Sequence, residues 1–326
     1  MNLQWKNFLL SGQAATETDG RIVFAESQFD QPHIYPIANL GILAVSGKDA
    51  AKLLQGQATC NVFEVTENQA RIGAFCNPKG RAIATFLLAK QGGDYLLVLP
   101  LELLETVKTR LQKYVLRSDV RFTDLSDELC LIGVSAAEAA AEPLFAAHHE
   151  NNAVSIAMGG APARHLLIAE AERAVALWSG RVVTQGYGPG SSENWRYLDL
   201  IAGIPWLTQA TSEEYIPQML NLDRLGGISF TKGCYTGQEI VARTHYLGKT
   251  KREMFLAEAD TPSVPEPNAS VIDNNSEPET IVGKVLSAFG HLHKCTLLIV
   301  LQTPGSDSQD LRLATPDREK ITLLPL

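Results

Sequence analysis

Strand-sized, mostly apolar runs bounded by polar and turn residues, LGILAVSG (40–47), RIGAF (71–75), AIATFLLAK (82–90) and YLLVL (95–99), read as four strands. Between the first two, Asp49 to Gln55 reads as a short helix, and Asn77-Pro78-Lys79-Gly80 marks a turn between the second and third. Gly92-Gly93-Asp94 turns the chain into the fourth strand. Leu101, Leu104, Val107, Leu111 and Tyr114 then recur at helical spacing ahead of a strand near Val120. This order predicts a ferredoxin-like β-α-β-β-α-β module with one extra strand. A related order follows: CLIGVS (130–135), an Ala-rich segment from Ala136 to Ala147, AVSIAM (153–158), ARHLLIAE (163–170) and the helical AERAVALW (171–178). Ser192 to Ala202 reads as a helix opened by a serine and closed by Gly203 and Pro205.

After Arg252 helical periodicity disappears. MFLAEA, TIVGKVLSAF, TLLIVL, LRLA and ITLLPL are strand-sized runs separated by Pro, Asn, Asp and Ser, the pattern of a small antiparallel barrel or sandwich. Thr261 to Pro278, with its prolines, reads as exposed loop or linker. The expected organisation is α+β: a first module over 1–125, a second over 126–252, the two free to interleave in space, and a barrel over 253–326.

Composition narrows the function classes. With 45% hydrophobic and 20% charged residues the 326-residue chain is an ordinary folded body. Its 36 acidic residues outweigh 28 basic ones for a net charge of −8, which opposes an extensive nucleic-acid footprint. The N-terminal apolar run is three residues long and the longest apolar stretches are strand-sized, so the expected location is the cytoplasm, with no membrane partner, and the expected state a monomer. Five cysteines without a C-x-x-C pair argue against a zinc site or disulfide framework, and Cys76, Cys130 and Cys295 sit in apolar text suited to packing. His291-x-His293, His148 and His149 lack the further ligands a zinc ion needs, so no metal is expected.

The segment richest in chemistry is Gly227-Ile228-Ser229-Phe230-Thr231-Lys232-Gly233-Cys234-Tyr235-Thr236-Gly237-Gln238-Glu239. Lys232, two residues before Cys234, is placed to favour the thiolate, and Gly233 and Gly237 permit a tight turn that exposes the sulfur. Tyr235, Thr236, Gln238 and Glu239 are polar or aromatic neighbours, unlike those of a buried cysteine. From Lys232 to Arg252 five basic residues (Lys232, Arg243, Lys249, Lys251, Arg252) face one acidic residue, Glu239, a local inversion suited to an anionic partner.

The string KGCYTGQE, between GGISF and IVAR, resembles the signature of the YgfZ family. LLQGQATCNV, CNPKGR, WRYLDLIAGIP and IPQMLNLD agree, so the resemblance covers most of residues 40–252. It implies an aminomethyltransferase-like (glycine cleavage T-protein) fold, tetrahydrofolate or a derivative as cofactor, and support of iron-sulfur enzymes such as tRNA methylthiotransferases as partners. It also implies two losses. Aligning Asn77-Pro78-Lys79-Gly80-Arg81 with the enzymes' turn puts Thr85 where they carry an aspartate, and a hydroxyl supplies no carboxylate, so glycine-cleavage activity is not expected. Ile201 replaces a glutamate that binds the pterin, with Asp199 as a partial substitute. Trp195 is the aromatic candidate for stacking a flat heterocycle. The expected functional thiol is Cys234 with Lys232 beside it, and the expected folate contacts are Trp195, Tyr235, Gln238, Glu239, Arg243 and Asn221. Two alternatives stay open: a folate-dependent one-carbon transferase using Glu239 or Cys234 on an unknown acceptor, and a protein acting on tRNA directly.

Overall fold

A computed structural model describes residues 1–12, 15–24, 31–136, 142–248, 250–275, 280–291, 293–302 and 310–326. Six α-helices are formed: α1 (Leu3–Gly12), α2 (Ala50–Gln55), α3 (Leu101–Gln112), α4 (Ala171–Ser179), α5 (Ser192–Ile201) and α6 (Gln238–Leu247). The chain groups into two compact units. One comprises Met1–Gly56, Asn61–Ile72 and Phe86–Leu198, the other Gln57–Cys60, Gly73–Thr85 and Asp199–Leu326.

A five-stranded sheet has the order Arg71–Cys76, Ala82–Gln91, Asp94–Pro100, Leu40–Ser46, Arg121–Asp124. On α3 the buried positions are Leu103, Leu104, Val107 and Leu111, whereas Leu101 is 41% exposed and Tyr114, beyond the helix end, is 38% exposed. The predicted stripe is therefore shifted at both ends.

A sheet wholly within the first unit has six strands in the order Ala147–Glu150, Ala153–Ala157, Ala163–Glu170, Leu129–Ala136, His33–Pro36, Gly188–Pro189. Every pairing along it is antiparallel except the last, which is parallel. Part of the Ala-rich segment, residues 137–141, lies outside the described residues, and its end, Ala147–Glu150, is an edge strand. Trp5 and Leu9 of α1 and Ala174 and Trp178 of α4 close over Ile34, Ile132, Val134 and Leu167, with Trp5 set edge-on to Trp178 at 5.4 Å.

In this unit Trp195 is fully buried. Its ring lies on Gly133, where an added Cβ would come within 2.1 Å of the indole, and the Arg164 guanidinium covers it at 4.9 Å. Tyr35 packs beside it at 5.8 Å. We expect Gly133→Ala to lower the unfolding free energy by about 3 kcal/mol, because neither backbone nor buried indole has room to shift. A urea midpoint within error of the unsubstituted protein would refute that packing.

The second unit is dominated by a six-stranded antiparallel sheet in the order Leu311–Leu313, Ser270–Asp273, Thr280–His291, Lys294–Gln302, Arg252–Ala259, Ile321–Leu324. An Arg312 to Lys320 bridge draws its two edges together, so the sheet curls into a half-barrel where the strand pattern predicts a barrel. Its core holds Cys295, Leu297, Ile299 and Leu301, alternate residues of one strand, with Val271, Val285 and Leu313. The stretch expected to be loop from Thr261 to Pro278 instead contains a strand, Ser270–Asp273, because Val271 buries in that core and its neighbour Ile272 is buried as well. Residues 276–279 of that stretch lie outside the described residues.

Candidate functional site

The signature segment is a strap fastened across the short pieces Gln57–Cys60 and Gly73–Thr85 of its own unit. Thr59 is fully buried; its hydroxyl donates to the Gly227 carbonyl at 2.7 Å and accepts from the Ala74 amide at 2.9 Å, while the Ser229 amide donates to the Thr59 carbonyl. Lys232 Nζ donates to the carbonyl oxygens of Ala58 and Cys60, both at 2.7 Å, and sits 5.0 Å from the centre of the Tyr235 ring. Thr236 donates to Gln57 Oε1 at 3.1 Å. At the far end Gly237 adopts φ +85° and lies so close to the turn that a Cβ would stand 2.6 Å from the Asn77 carbonyl oxygen and 3.0 Å from Cys76 Cβ. A glycine is required there on both counts.

The strap therefore buries Lys232 and Tyr235 and leaves Gly233 and Cys234 exposed. Cys60, Cys76, Cys130 and Cys295 are all buried, and burial pushes the Cys130 thiol up to about 12 and the Cys295 thiol up as well. Cys234 is the one thiol of the five presented to solvent. It precedes α6 by four residues, on a loop held at both sides of it.

The electrostatic role expected of Lys232 needs correcting. A buried ammonium must pair its protons, and here two carbonyls and a ring face take them, so the charge secures the strap instead of facing Cys234. Burial lowers its pKa from 10.5 to about 8. The folded state then binds fewer protons than the unfolded chain between pH 8 and 10.5, so stability rises with pH through that window and is lost as pH falls through 8. Burial raises the Tyr235 hydroxyl, which makes stability fall again above pH 10. We expect the stability of the unsubstituted protein, taken relative to that of Lys232→Met, to rise between pH 8 and 10 by at most about 1.4 kcal/mol per unit; a difference between the two proteins that does not change with pH would contradict it.

Two other expected site residues are committed to structure. Asn221 adopts φ +54° at the end of the short helix Pro217–Leu220, and its buried amide donates to the Met254 carbonyl at 2.9 Å. Trp195 has both bulk and ring built into the first unit's core, so it offers no face to a heterocycle. Gln238 is half-buried in the first turn of α6, whereas Glu239 and Arg243 on that helix are exposed. Of the predicted basic cluster, Lys232 is buried, Lys249 lies outside the described residues, and Arg243, Lys251 and Arg252 are exposed. His148 and His149 pair with Glu142 and Glu67, both at 3.1 Å, and His291 and His293 are exposed. The described residues hold no helix long and apolar enough to cross a membrane.

Thr85 is completely buried. Its hydroxyl donates to the Pro205 carbonyl at 2.6 Å and accepts from the Leu207 amide at 3.2 Å, pinning the backbone on both sides of Trp206. Asp199, almost fully buried, accepts from the Trp206 indole N–H at 2.8 Å. Trp206 is half-buried. The side chain that sequence reasoning set aside for pterin recognition thus orients a tryptophan that sequence reasoning passed over. A flat heterocycle fits the residues present at Trp206, whose indole is partly open and fixed in orientation, and does not fit them at Trp195. The only signal in the sequence was an aromatic residue just past the Gly203-x-Pro205 helix stop.

A fold with this sheet order, half-barrel and Asn77 turn is that of the glycine-cleavage aminomethyltransferases. Aminomethyltransferase T of Bartonella henselae superposes over 100% of this chain and 97% of its own with a TM-score of 0.78 at 12% identity, and the GCVT N-terminal domain model matches residues 31–160. The tRNA-modifying protein YgfZ of Vibrio atlanticus is 31% identical over 303 residues, 89% of this chain and 90% of its own. That of Colwellia psychrerythraea is 32% identical over 239 residues, 70% and 72% of the two chains, and that of Klebsiella pneumoniae 35% identical over 238 residues, 69% and 71%. The chain belongs to the YgfZ family, whose relatives named above are tRNA-modifying proteins.

Proposed function

We propose that the protein binds tetrahydrofolate or a derivative and acts as an accessory factor for iron-sulfur enzymes that modify tRNA, without glycine-cleavage activity. The observation that carries the reading is the strap: Lys232, Tyr235, Thr236 and Gly237 are spent on holding it down, and Cys234 is held out. A fold shared with folate-dependent enzymes supports the cofactor class, and the engagement of Thr85 with Pro205 and Leu207 supports the loss of transfer chemistry. Trp206 offers the pterin a stacking surface, oriented by Asp199. One thiolate supplies only a fraction of the four or so ligands a cluster needs, so Cys234 engages a partner's cluster or a sulfur species transiently.

Fluorescence titration with tetrahydrofolate tests the folate half. Saturable quenching is expected in the unsubstituted protein and should largely vanish in Trp206→Phe, which keeps Trp5, Trp178 and Trp195. Unchanged quenching in that variant would remove Trp206 from the site, and none in either protein would remove folate from the function.

A further inference from the structure

Helix α6 is docked by its first half only. Val241 is its single buried residue, the Gln218 amide caps the Val241 carbonyl at 2.6 Å, and Ile240 lies against Gly80. Its last turn projects, with His245 exposed, Tyr246 64% exposed and Leu247 82% exposed. On that turn the rings are already ordered. Phe230, from the strap, stacks on His245 with centroids 3.7 Å apart and planes 13° apart, and Tyr246 stands edge-on to His245 at 4.8 Å. Folding gives no reason to build an aromatic stack and leave it in water.

Toward the end of the helix and just past it the charge is mainly basic, against Glu239 in its first turn. Arg243 lies one turn before Tyr246 and Leu247 on the helix, and Lys251 and Arg252 follow within five residues of its end; all three are exposed, in a chain of net charge −8. Open ring faces beside exposed cations match a ligand that carries flat, neutral rings on an anionic backbone. An acidic protein surface would answer the charge and leave the rings idle, and a duplex hides its base faces.

We propose that the Phe230, His245 and Tyr246 cluster is a stacking platform for an unpaired base of single-stranded RNA, with Arg243, Lys251 and Arg252 taking the flanking phosphates. This rests on the reading of the protein as an accessory of tRNA modification and gives it a direct foothold on the RNA. The contact is one or two bases long, in keeping with a chain of net charge −8.

The test is fluorescence anisotropy of a labelled ten-nucleotide uridine RNA with the full chain at low ionic strength. Saturable binding is expected, weakened about tenfold by His245→Ala or Tyr246→Ala and retained by Tyr246→Phe. Arg243→Gln should reduce the slope of log affinity against log salt by about 0.7. A duplex of the same length and polyglutamate should bind far more weakly. No binding at low salt, ring variants that bind as the unsubstituted protein does, or polyglutamate binding equally well would each overturn the platform. Quenching of Trp206 by tetrahydrofolate should persist in the ring variants. RNA binding lost with quenching intact in the unsubstituted protein defeats this inference alone, whereas quenching absent with RNA binding intact defeats the folate reading alone.

Discussion

Cells lacking the native protein and supplied with Cys234→Ala are expected to show iron-sulfur tRNA-modifying activity no higher than cells supplied with nothing. The expectation follows from the division of labour in the strap. Lys232 and Tyr235 are buried against Ala58 and Cys60, Gly237 is wedged against Asn77, and the exposed thiol takes no part in holding these contacts. Exposed substitutions away from such contacts change stability by less than about 0.5 kcal/mol, so the variant should fold and melt as the unsubstituted protein does. Serine in place of the cysteine should fail equally, since a hydroxyl lacks the thiolate's affinity for sulfur and iron. Full restoration by Cys234→Ala would take the thiol out of the function.

Thr85→Asp is expected to restore no aminomethyl transfer and to cost about 3 kcal/mol or more of stability. Restoring the family's acid on paper ignores what surrounds the position. The Thr85 hydroxyl donates one hydrogen bond and accepts another, and it is wholly buried. A carboxylate could still accept from Leu207, but it would turn a negative oxygen toward the Pro205 carbonyl in a fully buried position. Thr85→Val keeps the shape and orphans both backbone groups, at about 1–3 kcal/mol for each unsatisfied group. Both variants free the backbone around Trp206, so both should also weaken tetrahydrofolate quenching. Measurable transfer by Thr85→Asp, with the unsubstituted protein's urea midpoint, would show that the pinned backbone is not what the position is for.

These two residues mark where the sequence was and was not legible. Short apolar runs such as Leu40–Ser46 and Lys294–Gln302 announced their strands, and the absence of helical spacing after Arg252 announced an antiparallel barrel or sandwich, because strands buried on both faces leave a continuous apolar imprint. Ser270–Asp273 escaped notice because four residues in Asn- and Pro-rich text leave too short an imprint. The exposure of Cys234 was legible from its polar neighbours and flanking glycines. The direction taken by Lys232 was not, since its partners Ala58 and Cys60 lie more than 170 residues away. Trp195 and Trp206 differ in the same manner: both are tryptophans near the ends of one helical text, and only Gly133 and Arg164 for the first, and Asp199 and Thr85 for the second, decide which is core and which is presented.

On the proposed function, folate binding persists where the transferase acid has been lost, and the thiol acts separately from it. Calorimetric titration of the Cys234→Ala protein with tetrahydrofolate separates the two. A saturable heat with the same affinity as the unsubstituted protein is expected; no heat from either protein, or an affinity that collapses when the thiol is removed, would contradict the proposal.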